Sequence, residues 1–146
     1  MDKKQNGIFL VLISLVLGLA ILACGTGYRT TSKSSGNSGE VRVRMNEADG
    51  TDSTNVEINE DYNHSRVAIT ASLLVESGNC QVTLIGQDGT TISLSASTEG
   101  PSEVYGDLVT DAFGEIVLET VCQNAINVDL IITYAWKQIQ ISLTNQ

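Results

Sequence analysis

An all-β domain, built as an antiparallel sandwich, is what this chain predicts, and three observations predict it. Beyond position 40 the apolar residues recur with a period of two and never with the helical period, which is the signature of half-buried strands. Turn residues (Asp-Gly, Asn, Gly) interrupt that alternation every eight to twelve or so positions, the spacing expected of short hairpin-connected strands. Valine, isoleucine and threonine dominate the alternating runs, and β-branched side chains favour a pleated surface.

The elements follow in order. Residues 25 to 39, GTGYRTTSKSSGNSG, are polar, rich in Ser and Gly and without apolar periodicity, and are expected to form a flexible linker. Val41, Val43 and Met45 then alternate with Arg42 and Arg44 as a first strand. An acidic loop is expected over Glu47 to Ser53, before Val56 and Ile58 mark a short second strand. Arg66 to Val75, with Val67, Ile69, Ala71, Leu73 and Val75 on one parity, reads as a central strand. Past a turn at Glu76 to Asn79, Cys80, Val82 and Leu84 share a face. Asp88-Gly89 between QVTLIGQ and TTISLSA predicts a tight type I′ hairpin, whose central positions need positive φ. Ser97 to Ser102, which holds the single proline, Pro101, is expected to be a loop.

Val104 to Thr110 and Glu115 to Gln123 read as two strands joined by Asp111 to Gly114, and Cys122 lies on the apolar parity of the second. A turn is expected at Asn124 to Asn127, before Val128, Leu130, Ile132, Tyr134 and Trp136 run inward together. Ile139, Ile141 and Leu143 alternate again and predict an edge strand or a protruding arm. Eight or nine strands result. The layout resembles immunoglobulin-like or jelly-roll modules, with a closed barrel as the alternative, although Trp136 follows both cysteines where an immunoglobulin domain has tryptophan between them.

The amino terminus carries an address. Lys3 and Lys4 precede an apolar run, Ile8 to Cys24, which is close to the upper length of an export signal and marginal for a membrane span. Its ending, Ile21-Leu22-Ala23-Cys24, resembles the lipobox of bacterial lipoproteins, with Ile21 where leucine is usual. The resemblance implies a signal peptide over residues 1–23, cleaved before Cys24, and a diacylglyceryl or palmitoyl group on Cys24. It also implies a chain held by lipid on the extracytoplasmic face of a membrane, the outer membrane where there is one. An uncleaved anchor helix and a plain cleaved secretory peptide are the alternatives. On this reading residues 24–39 are the lipidated cysteine and its linker, and 40–146 the folded domain.

The chain has three cysteines. Lipidation of Cys24 would leave Cys80 and Cys122 as a pair, expected to bridge in an oxidising compartment, with two buried free thiols as the alternative.

Net charge is −9, and between Glu47 and Trp136 fifteen carboxylates face a single cation, Arg66. Such a surface repels phosphate backbones, so nucleic acid is excluded as a partner. The only histidine, His64, has no zinc spacing around it. No G-x-S-x-G elbow is present, and no motif of a catalytic site is met, so an enzyme is not expected. Glu47, Asp49 and Asp52 are the candidate ligands for Ca²⁺, outside an EF-hand, since Met45 and Val56 would occupy that loop's first and last positions. No other cofactor is expected. The functional expectation is a non-enzymatic structural or protein-interaction module of the envelope. The alternatives are a Ca²⁺- or glycan-binding module using Tyr62 and Tyr105, and a self-associating surface or filament subunit.

Overall fold

The computed structural model describes residues 27–137. These form seven strands and no helix: β1 (Tyr28–Ser35), β2 (Ser38–Glu57), β3 (Arg66–Leu74), β4 (Ser77–Ile85), β5 (Thr91–Ser97), β6 (Ser102–Val109) and β7 (Glu115–Trp136). All pairings are antiparallel. The expected signal peptide and lipidated Cys24, and the alternating run Ile139 to Leu143, lie outside the described residues.

The frame is a long ribbon of β2 and β7, paired from Ser38↔Ala135 to Glu57↔Glu115. Partway along, the ribbon folds over. The register shifts between Ala48 and Gly50, where Gly50 takes φ 88°, and on β7 Asn124 and Asn127 take φ 45° and 50°. Glycine and asparagine are the residues that enter the left-handed region at low cost, so each strand can bulge and bend there. On the third line Gly78 has φ 73°, and a Cβ on it would stand 2.2 Å from the Asn124 carbonyl oxygen. At this corner β3 gives way to β4.

Folding at the corner produces two layers. The first has the order β1-β2-β7-β3-β6 and uses the amino-terminal half of β2 with the carboxy-terminal half of β7. The second sets the other half of β7 between β2 and β4, with β5 outside β4. Their inner faces meet in one core. Val41, Val43, Leu130, Ile132, Val67, Ala71 and Leu73 come from the first layer, and Val82, Leu84, Leu118, Ile116 and Leu94 from the second, all nearly or wholly sealed from solvent. The layers touch closely where β5 crosses β6, since a Cβ on Gly106 would lie 2.7 Å from Ile92 Cδ1.

Several expectations change. The stretch expected as a linker is a hairpin: β1 pairs with β2 from Tyr28↔Met45 to Ser35↔Ser38, although every β1 side chain is exposed. Its stability comes from backbone pairing, which leaves no apolar period to read. The acidic loop and the turn at Asn124 to Asn127 are bulged parts of continuous strands, so the strands number seven among the described residues. Asp88-Gly89 sits in a five-residue loop, Gly86 to Thr90, in which only Gly89 has positive φ, in place of a two-residue type I′ turn. Asp88 accepts the Thr90 amide (3.1 Å), which holds its carboxyl below the usual range. Asp111 caps the next hairpin similarly, accepting from Phe113 and Glu115 amides at 2.8 and 2.9 Å.

Candidate functional site

Cys80 and Cys122 form a disulfide with Cα atoms 4.0 Å apart. They are register partners on β4 and β7, both buried on the inner face of the second layer. The bridge joins neighbouring strands within one layer and leaves neither sulfur free for chemistry.

Glu47, Asp49 and Asp52 border one open groove of about 290 Å³, together with Tyr28, Met45 and Thr120. They do not converge. On a strand, residues two apart are separated by about 6.6 Å, so the carboxylates a loop would gather are spread along the edge. Asp49 is also engaged, accepting the Asn124 amide at 3.0 Å. Among the described residues no group of three His, Cys, Asp or Glu is placed to hold a metal ion. His64 Nδ1 lies 2.6 Å from Gln87 Oε1, an amide that leaves the ring without a charged partner.

The aromatics divide differently from expectation. Tyr62 is buried, packed edge-on against Tyr134 and tilted against Trp136, with ring centroids 5.9 and 6.3 Å apart. Its hydroxyl has no hydrogen-bond partner, and burial pushes its pKa up. Trp136, expected inside, is 41% exposed at the end of β7. Tyr105 is the aromatic that stands free on a sheet face, 71% exposed on the outer side of β6. Phe113, equally exposed, is at a hairpin tip.

Register places Tyr105 at one end of a row that crosses all five strands of the first layer: Tyr105, Thr70, Thr133, Glu40, Lys33. The adjoining row is Glu103, Ser72, Ile131, Arg42, Thr31. Four spacings of about 4.8 Å make this face roughly 19 Å wide. Beside Tyr105 the floor on β3 and β7 is Thr70, Ser72, Thr133 and Ile131, with the charged Glu40, Arg42 and Lys33 towards β1. The Tyr105 hydroxyl donates to the Glu103 carboxylate, which raises the phenol's pKa and steadies the ring.

At the other side Arg42 donates through Nε (2.7 Å) and Nη2 to Asp129, and Arg44 Nε lies 3.7 Å from the same carboxylate. The Arg42 hydrogen bond holds the Asp129 carboxyl below its usual range, against the opposing effect of partial burial. Lys137 Nζ donates to the Asp107 carboxylate of β6 at 2.8 Å. Nothing in the sequence marked this face as a unit; the parity of Tyr105 within Ser102–Val109 was its one visible signal.

No protein-family model and no curated protein matches the chain. Among solved structures it is similar to a carbohydrate-binding module, TmCBM61, in complex with beta-1,4-galactotriose (TM-score 0.40, 12% identity, 76% of this chain and 89% of that one). It is also similar to the CBM22-1 xylan-binding domain of Paenibacillus barcinonensis Xyn10C (TM-score 0.42, 10% identity, 79% and 83%). A third likeness is to a structure of Bacillus endospore appendages, described as disulfide-linked pili (TM-score 0.41, 14% identity, 75% and 92%). Similarity of this order assigns no ligand, which must be argued from the chain's own side chains.

Proposed function

We propose that this chain is a non-enzymatic recognition module, anchored through lipid on Cys24 at the extracytoplasmic face of a membrane, whose ligand is a polysaccharide laid across the outer face of the first layer. The observation that carries the reading is Tyr105, exposed on that face beside a floor of hydroxyls from Thr70, Thr133 and Ser72. A sugar ring offers an apolar face to an aromatic ring and hydroxyls to polar side chains, and a rigid tyrosine supplies contact area at little entropic cost. Arg44 and the carboxylates at the margins supply orienting polar groups. Anchoring is supported by the resemblance of Ile21-Leu22-Ala23-Cys24 to a lipobox, and two acyl signals hold a protein stably where one does not.

The test is calorimetric titration of the detergent-solubilised full chain with a panel of oligosaccharides. Binding of at least one, weakened about tenfold or more by Tyr105→Ala (about 1.4 kcal/mol), is expected. Silence across the panel, or binding indifferent to Tyr105→Ala, rejects the reading.

A second reading, self-association, is favoured by the outer edge of β1, whose backbone has no strand partner among the described residues. Such an edge can accept a strand from another copy. Sedimentation of the same preparation distinguishes it, a monomer at all concentrations rejecting it.

A further inference from the structure

Where the chain enters the fold decides which end of the sandwich faces the membrane. β1 begins at Tyr28 opposite Met45, and Gly27 is already held, its carbonyl accepting the Asn46 amide at 3.3 Å. Both lie at the corner end, where the β2/β7 ribbon folds over and where β3 ends, β5 ends and β6 begins. The opposite end carries the turns at Asn37, at Gly86 to Thr90 and at Asp111 to Gly114, together with Trp136. Between Cys24 and Gly27 there are three Cα–Cα steps, which span at most about 11 Å in any conformation.

From this we infer that the acylated protein is seated upright with its corner end at the lipid headgroups and its hairpin turns pointing away, instead of swinging on a 15-residue tether. The inference rests on the proposal that Cys24 is acylated. The partner surface is the headgroup layer, and the seat consists of Asn46, Glu47, Asp49 and the turn around Glu99. Covalent attachment imposes the orientation, since these carboxylates have no attraction for anionic lipid. Strand rise sets the scale: eight residues of β6 lift the far turns about 26 Å above the near ones.

The experiment uses the full chain, processed in a bacterial host and reconstituted into phosphatidylcholine vesicles. With Cys24 acylated and Cys80 bonded to Cys122, a new cysteine is the only free thiol for a fluorophore. Glu99→Cys reports the near end and Phe113→Cys the far end; Glu47→Cys and Thr91→Cys form a second pair should either variant misfold. Energy transfer to a headgroup-labelled acceptor lipid is expected to be at least twofold greater from the near position. Inserting fifteen Gly/Ser residues between Thr26 and Gly27 is expected to bring the ratio towards one. Equal transfer from both ends without the insertion, with the acyl mass present on the amino-terminal peptide, overturns the seating alone. Absence of that acyl mass overturns the anchoring and the seating with it.

Discussion

Replacing Cys80 and Cys122 together by alanine removes the cross-strand bridge without leaving a buried thiol or hydroxyl. The two are 42 residues apart in the chain, and on the loop-entropy model a closed loop of that length restricts the unfolded ensemble by about 4 kcal/mol at 25 °C. In the folded state the bridge adds little constraint, because the cysteines are register partners on strands that pair anyway. The effect should therefore enter through the unfolded chain. At about 2.1 cal/mol/K per residue over roughly 110 residues, ~4 kcal/mol corresponds to a fall in Tm of about 17 °C. Urea unfolding followed by tryptophan fluorescence measures it, and reduction of the parent protein should reproduce it. The variant's denaturant slope should rise, since an unbridged chain exposes more surface on unfolding. If variant and parent unfold within about 0.5 kcal/mol of each other with equal slopes, the entropic account is refuted.

Four further substitutions test the ion pair and the packing. Asp129, held ionised by Arg42, should contribute stability that is present above the ordinary carboxylate pKa and lost as pH falls through its depressed folded-state value. Asp129→Asn should thus lower the urea midpoint at pH 7 and flatten the acid limb below about pH 4, and an unchanged limb rejects this assignment. Gly78→Ala should cost about 3 kcal/mol or more, because its Cβ would press on the Asn124 carbonyl and φ is positive, whereas Gly50→Ala, with open space around it, should cost only about 1–2 kcal/mol. Equal midpoints for the two would show that the corner is not closely packed. Tyr62→Phe removes a buried hydroxyl without a partner and should leave stability equal or raise it by up to about 1 kcal/mol; a clear loss would mean that the hydroxyl is in fact bonded.

The strands of the core were legible because a period of two is a local property: a strand half buried must alternate, and Val41 to Met45, Val67 to Val75, Cys80 to Leu84 and Val128 to Tyr134 do so. The pairing of Cys80 with Cys122 was also within reach, through their inward parity and the resemblance at Cys24. Two kinds of feature were hidden. β1 carries no apolar residue on a buried face, so it looks like a linker, and only an existing β2 edge makes its backbone pairing worthwhile. The corner was hidden too, since Gly50, Asn124 and Asn127 signal turns in isolation; here they bend strands that continue. Short-range chemistry cannot tell a turn from a bulge, because the difference lies in whether a partner strand keeps its hydrogen bonds across the bend.

For the site the division is the same. Sequence alone determined that the domain is acidic, lacks the residue constellations of the common catalytic classes, is sandwich-like, and follows an apolar run whose ending at Cys24 resembles a lipobox. Tertiary structure alone decided that Glu47, Asp49 and Asp52 are dispersed along a strand, that Tyr62 is sealed in while Tyr105 stands out, and that the chain enters at the corner end. Each depends on which strand lies beside which and in what register, and that is set by the packing of two layers on one core, an interaction between residues far apart in the chain.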